Sequence, residues 1–190
     1  MKKILLLVSH FCSGSDILYN SLNNNPRIQG YKRLEPNFYT SGLDFLYLTN
    51  CKHKLNNTSA IFMDEILLNS AISSKDCYNY CKFIYIIRKP EETLNLLVKK
   101  NYKPNYAQRY YLYRLRRICE ISKRANGLLL VYPNFNSELI QEYLKLKEPI
   151  KLDSKVEKID NLVSSKLIEE TEDAYEKYFS FLKRYINYAI

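Results

Sequence analysis

Ile4–Val8 is an unbroken apolar run bounded by polar residues. A run without alternation is the pattern of a strand covered on both faces. Ser13-Gly14-Ser15-Asp16 follows with turn and N-cap chemistry. Ile17, Leu18, Ser21 and Leu22 then recur at helical spacing, until Asn23, Asn24, Asn25 and Pro26 end the helix. A stretch punctuated by Pro and Gly comes next, with a short helix expected over Leu43–Thr49. Ala60–Met63 reads as a second strand ending at Asp64 and Glu65, and Lys82–Ile87 as a third, closed by Arg88-Lys89-Pro90. Glu91 and Glu92 open a helix with acid in its first turn, as the helix dipole prefers. Tyr106–Arg124 reads as a long basic helix terminated by Gly127, and Leu128–Val131 as a fourth strand. Ser137–Leu146 and a segment over 166–188 complete the chain as helices.

Strands alternating with helices imply βαβ units. The expected fold is therefore α/β, in three layers, with a central parallel sheet and helices on both faces. The pattern carries no internal repeat and no linker, and 190 residues suit a single domain over 1–190.

Composition adds limits. Apolar residues make up 46% and charged residues 26%, which excludes a disordered chain. Ile4–Val8 is too short to cross a bilayer, and it stops at Ser9-His10 without a small-residue cleavage site. A buried first strand is therefore expected there rather than a signal peptide. Five cysteines form an odd set without paired zinc spacing, and Cys77 and Cys81, four apart, suit one helix face. These features imply reduced thiols in a cytoplasmic protein. The net charge of +9, from 29 basic and 20 acidic residues, favours an anionic partner.

In open parallel sheets ligands bind beyond the carboxyl ends of the strands. His10 to Asp16, Asp64-Glu65 and Arg88-Lys89 all fall there. The first group is an anion cradle, because a glycine-containing turn into a helix presents backbone N–H groups and a positive dipole end. The Walker pattern Gly-x4-Gly-Lys-Ser/Thr is absent, which argues against an ordinary ATPase or kinase loop.

Val8-Ser9-His10-Phe11-Cys12-Ser13-Gly14-Ser15-Asp16, with the helix running to Pro26, resembles the first motif of the sulfotransferases that use 3′-phosphoadenosine 5′-phosphosulfate (PAPS). The third strand running into Arg88-Lys89-Pro90 and its helix resembles their second motif. Leu128–Phe135 and Tyr143–Pro149 resemble their late strand and the helix end after it. The likeness spans about residues 3–150 in the family's order.

It implies a sulfotransferase-type P-loop fold, PAPS as cosubstrate without a metal, and a hydroxyl acceptor such as a saccharide, a peptide or a small alcohol. It places Cys12, Ser13, Gly14, Ser15 and Asp16 at the nucleotide, and Arg88 on its 3′-phosphate. The candidate bases for the acceptor proton are Glu35, Asp64 and Glu65, with His53 ranking lower. His10 is either a packing residue or, when protonated, a replacement cation.

The departures from the family pattern are specific. Cys12 stands where the family has a cation, Ser15-Asp16 replaces a Thr pair, and Leu96 replaces a serine that donates to the 3′-phosphate. The family's C-terminal Gly-rich loop has no counterpart. These departures favour a rival reading, a sulfotransferase-fold module that binds without turnover. A third reading is a nucleic-acid-binding protein. It rests on Arg109, Arg114, Arg116, Arg117, Lys123 and Arg124, interleaved with Tyr110, Tyr111 and Tyr113.

Overall fold

The structure is a computed structural model that describes residues 4–30, 61–66, 81–152, 159–186 and 188–189. In chain order the elements are β1 (Ile4–Val8), α1 (Ser15–Asn23), β2 (Ile28–Gly30), β3 (Ile61–Ile66) and β4 (Cys81–Arg88). There follow α2 (Pro90–Lys99), α3 (Pro104–Ser122), β5 (Leu128–Tyr132), α4 (Ser137–Leu144), α5 (Ser165–Tyr185) and β6 (Tyr188–Ala189). The strands form one sheet in the order β2-β3-β1-β4-β5-β6, every neighbour parallel.

The unbroken apolar run of β1 is explained by its place in this sheet. Every residue of β1 is buried, because it lies between β3 and β4 with helices on both faces. The period-two alternation of a strand divides the core in two. Leu5, Leu7, Ile84 and Ile86 face the layer that holds Leu18 and Leu22 of α1 and Ile140 of α4. Leu6, Val8, Phe83 and Tyr85 face the layer that holds Leu97 of α2, Leu115 of α3 and Leu182 of α5. Each fully buried aliphatic side chain contributes roughly 1.5–3 kcal/mol, and truncating a central one such as Leu6 would cost about 2–5 kcal/mol.

The connection leaving β1 leads toward β2 and β3, whereas the one leaving β4 leads toward β5. The sheet therefore reverses its strand order between β1 and β4, and the crevice at such a reversal is where parallel sheets bind ligands. The residues that close these two strands, Val8 with the turn after it and Arg88, are adjacent for this reason.

Several boundaries differ from the sequence reading. β3 continues through Asp64 and Glu65 to Ile66, so the two carboxylates belong to the strand and do not follow it. β2 and β6, of three and two residues, are too short to show periodicity. Cys81 opens β4, so it is a strand residue rather than part of a helical pair. α3 ends at Ser122, and Gly127 serves β5 instead: a Cβ there would lie 2.5 Å from the Phe83 carbonyl oxygen. α5 spans Ser165–Tyr185, slightly earlier than expected. The helix expected over Leu43–Thr49, together with Glu35, His53, Cys51 and Cys77, lies outside the described residues.

Candidate functional site

The chain leaves β1 through Ser9 and His10, turns at Phe11 and Cys12, and enters α1 through Gly14. Cys12 and Gly14 both take left-handed backbone angles, with φ of 64° and 81°. Gly14 is the N-cap of α1, and no side chain caps that helix. Ser15 and Asp16 are therefore not the caps that their residue types suggested; they begin the helix itself. Glycine is required at position 14 twice over. The left-handed angle penalises a Cβ, and a Cβ there would overlap the ring of Tyr132 at the end of β5.

The loop is anchored from below. His10 is fully buried, its Nδ1 donates to the Phe11 carbonyl (2.8 Å), and its Nε2 accepts from the Arg88 backbone N–H (3.2 Å). Burial lowers the imidazole pKa from 6.5 to about 3, with the nearby Arg114 and Arg88 charges acting the same way. The ring is thus neutral with both nitrogens engaged. It joins the end of β1 to the end of β4 and supplies neither the replacement cation nor a free base. Tyr111 meets it edge-on at 5.0 Å and donates its hydroxyl to the Arg88 carbonyl (2.6 Å).

Arg114 is the residue that sequence reasoning missed as part of this region. It is wholly buried, and its Nε and Nη2 donate to the Ser9 carbonyl at 3.3 and 2.7 Å. Burial lowers its pKa to about 10, which leaves it charged at neutral pH beneath the loop. A signal for it does exist in the sequence. Tyr111, Arg114, Leu115 and Ile118 fall at i, i+3, i+4 and i+7, so the arginine lies on the apolar stripe of α3. On the outer side of the turn, the Phe11 N–H donates to the Tyr110 hydroxyl (2.8 Å) and the two rings stack at 5.6 Å. Burial pushes the Tyr110 phenol up to about 12, so it remains protonated.

Arg88 occupies the centre. It is only 3% exposed, its Nε donates to Glu92 Oε2 (2.6 Å) and its Nη1 to the Cys12 carbonyl (3.3 Å). Its guanidinium lies 4.4 Å from the centroid of the Tyr132 ring, the same ring that covers Gly14. Arg88 Nη2 and the fully buried Ser13 Oγ have no hydrogen-bond partner among the described residues. Buried polar atoms are rarely left in this state, because each costs about 1–3 kcal/mol of lost solvation. Two such donors next to a helix N-terminus match an anion site.

The structure thus brings together His10, Cys12, Ser13, Gly14, Ser15, Asp16 and Arg88. Asp16 is exposed at the first turn of α1. Asp64 and Glu65 lie on the neighbouring strand, in register with Leu6 and Leu7 of β1. Leu96 is buried on α2 at 4% exposure. On α3, Tyr111 and Arg114 are buried, and Arg116 and Arg117 pair with Glu120, so the basic and aromatic side chains do not form one exposed stripe. No group of three His, Cys, Asp or Glu side chains suited to a metal occurs among the described residues, nor is any described helix long and apolar enough to cross a membrane.

No family model matches the chain, and no curated protein matches it in sequence. Among solved structures the chain is similar to a sulfotransferase from Alicyclobacillus acidocaldarius. Identity is 13% and the TM-score 0.56, over 98% of this chain and 96% of that one. At this identity the likeness shows the fold. The protein has a three-layer α/β fold of the sulfotransferase type, and its β1–α1 turn lies where that architecture leads from the first strand into the first helix.

Proposed function

We propose that the protein holds a 3′-phosphorylated adenine nucleotide at the β1–α1 turn and transfers a sulfuryl group from PAPS to a hydroxyl acceptor. The observation that carries the reading is the pair of buried, unpartnered donors, Arg88 Nη2 and Ser13 Oγ, beside the uncapped N-terminus of α1. In the reaction the acceptor oxygen attacks sulfur, the bond from sulfur to the 5′-phosphate oxygen breaks, and adenosine 3′,5′-bisphosphate leaves. The acceptor proton passes to a carboxylate, for which Glu35, Asp64 and Glu65 are the candidates. The backbone N–H groups and the dipole of α1 balance the charge that develops on the leaving oxygen.

A second reading, a binding module without turnover, is favoured by one observation. The Tyr132 ring covers Gly14 and Arg88, and Arg88 is already paired with Glu92. Incubation with PAPS and a panel of hydroxyl acceptors, following release of adenosine 3′,5′-bisphosphate, tests the proposal. Acceptor-dependent release supports transfer, nucleotide binding without release supports the module, and absence of both overturns the proposal.

A further inference from the structure

We propose that Arg88 supplies the cation of the β1–α1 turn that Cys12 lacks, so that it serves the 5′ anion of the nucleotide rather than a 3′-phosphate. This rests on the nucleotide reading above and changes the role that the resemblance assigned to Arg88. The geometry directs the guanidinium to the loop. Nη1 is 3.3 Å from the carbonyl oxygen of Cys12, the residue whose side chain would otherwise have carried the charge. The Tyr132 ring holds the guanidinium from the other side at 4.4 Å, and the same ring rests on Gly14, so Arg88 and the helix N-cap share one wall.

Nη2 is the remaining donor of a side chain that is otherwise fixed, and the orphaned Ser13 hydroxyl is the residue next to Cys12. An anion accepting from both would also meet the positive end of α1. The opposite assignment has less to support it. A 3′-phosphate shared between Arg88 and α2 would need a second donor on that helix, and the family position holds Leu96, which is buried and has none. Glu92, 2.6 Å from Nε, orients the guanidinium and also reduces its effective charge.

The test compares three ligands: adenosine 3′,5′-bisphosphate, AMP with its 5′-phosphate alone, and 3′-AMP with its 3′-phosphate alone. For Arg88→Gln, loss of a charge-assisted contact is expected to weaken bisphosphate and AMP by the same factor, about 10- to 100-fold, and to leave 3′-AMP unchanged. If AMP is unchanged while bisphosphate falls to its level and 3′-AMP binding is lost, Arg88 holds the 3′-phosphate and the inference is overturned.

Arg88 is buried, so Glu92→Gln provides an independent variant at a half-buried position. Removing that carboxylate should strengthen bisphosphate and AMP together, and strengthening confined to bisphosphate and 3′-AMP overturns the inference. If the wild-type chain binds none of the three, the nucleotide reading itself fails. That outcome is distinct from a wild type that binds and an Arg88 that acts on the other phosphate.

Discussion

Two strand-to-helix turns meet at the carboxyl edge of this sheet, and they are built in opposite ways. The β4–α2 turn is the single residue Lys89, followed by Pro90, which has no N–H to satisfy. Its acids, Glu91 and Glu92, sit in the first turn of α2, and Thr93 donates both its N–H and its hydroxyl to the Lys89 carbonyl. The β1–α1 turn runs from Ser9 to Gly14, uses two left-handed residues, and leaves a buried serine hydroxyl without a partner; neither helix has a side-chain cap. The Ser13 hydroxyl is left over for an external anion, and Arg88, at the end of β4, is directed across to this turn with its Nη2 also unpartnered.

The largest contrast expected between the turns concerns the backbone. Gly14→Ala places a Cβ at a left-handed angle and into the Tyr132 ring, a loss of about 2–4 kcal/mol. Lys89→Ala, at extended backbone angles in the other turn, should cost no more than about 0.5 kcal/mol. Urea unfolding of both variants measures the difference, and equal losses would mean that the two turns are not mechanically distinct.

A second contrast is in acid sensitivity. His10 titrates near 6.5 when unfolded and at about 3 when folded, so the unfolded chain binds its proton first. The stability it confers is complete above pH 6.5 and is lost progressively as pH falls toward 3. His10→Gln retains a donor and an acceptor but cannot titrate. It should lower stability at pH 7 modestly and flatten the decline between pH 6 and 4. An undiminished slope would mean that this imidazole is not the buried clamp joining β1 to β4.

The smallest effect expected is at Asp16. An exposed carboxylate in the first turn of α1 favours the helix dipole by about 0.3–1 kcal/mol but repels an incoming anion. Asp16→Asn should therefore lose a few tenths of a kcal/mol of stability while gaining a few-fold in nucleotide affinity. Opposite signs in the two measurements would locate the anion at this helix end; a loss in both would move it elsewhere.

The sequence made the frame legible because burial on both faces leaves an unbroken apolar run, as in β1 and most of β4. It was misleading at β3, where Asp64 and Glu65 look like a strand terminus although the strand includes both. β2 and β6 are set by pairing with their neighbours rather than by a pattern of their own. The turn residues 12–16 and Arg88 were legible as a group from the order of strands and turns. Their connections were not. That Arg88 turns toward Cys12, that Tyr132 closes over Gly14, and that Arg114 runs beneath the loop all depend on contacts between residues far apart in sequence. No local pattern encodes them, apart from the charged residue on the apolar stripe of α3.

The β1–α1 turn together with Arg88 is proposed as an anion site for an adenine nucleotide. Calorimetric titration of the full chain with adenosine 3′,5′-bisphosphate, with adenosine as the phosphate-free control, tests it most directly. Binding in the micromolar range that adenosine does not reproduce is expected, corresponding to about −8 kcal/mol. No heat of binding at millimolar bisphosphate would contradict it, and the orphaned donors of Arg88 and Ser13 would then belong to the fold alone.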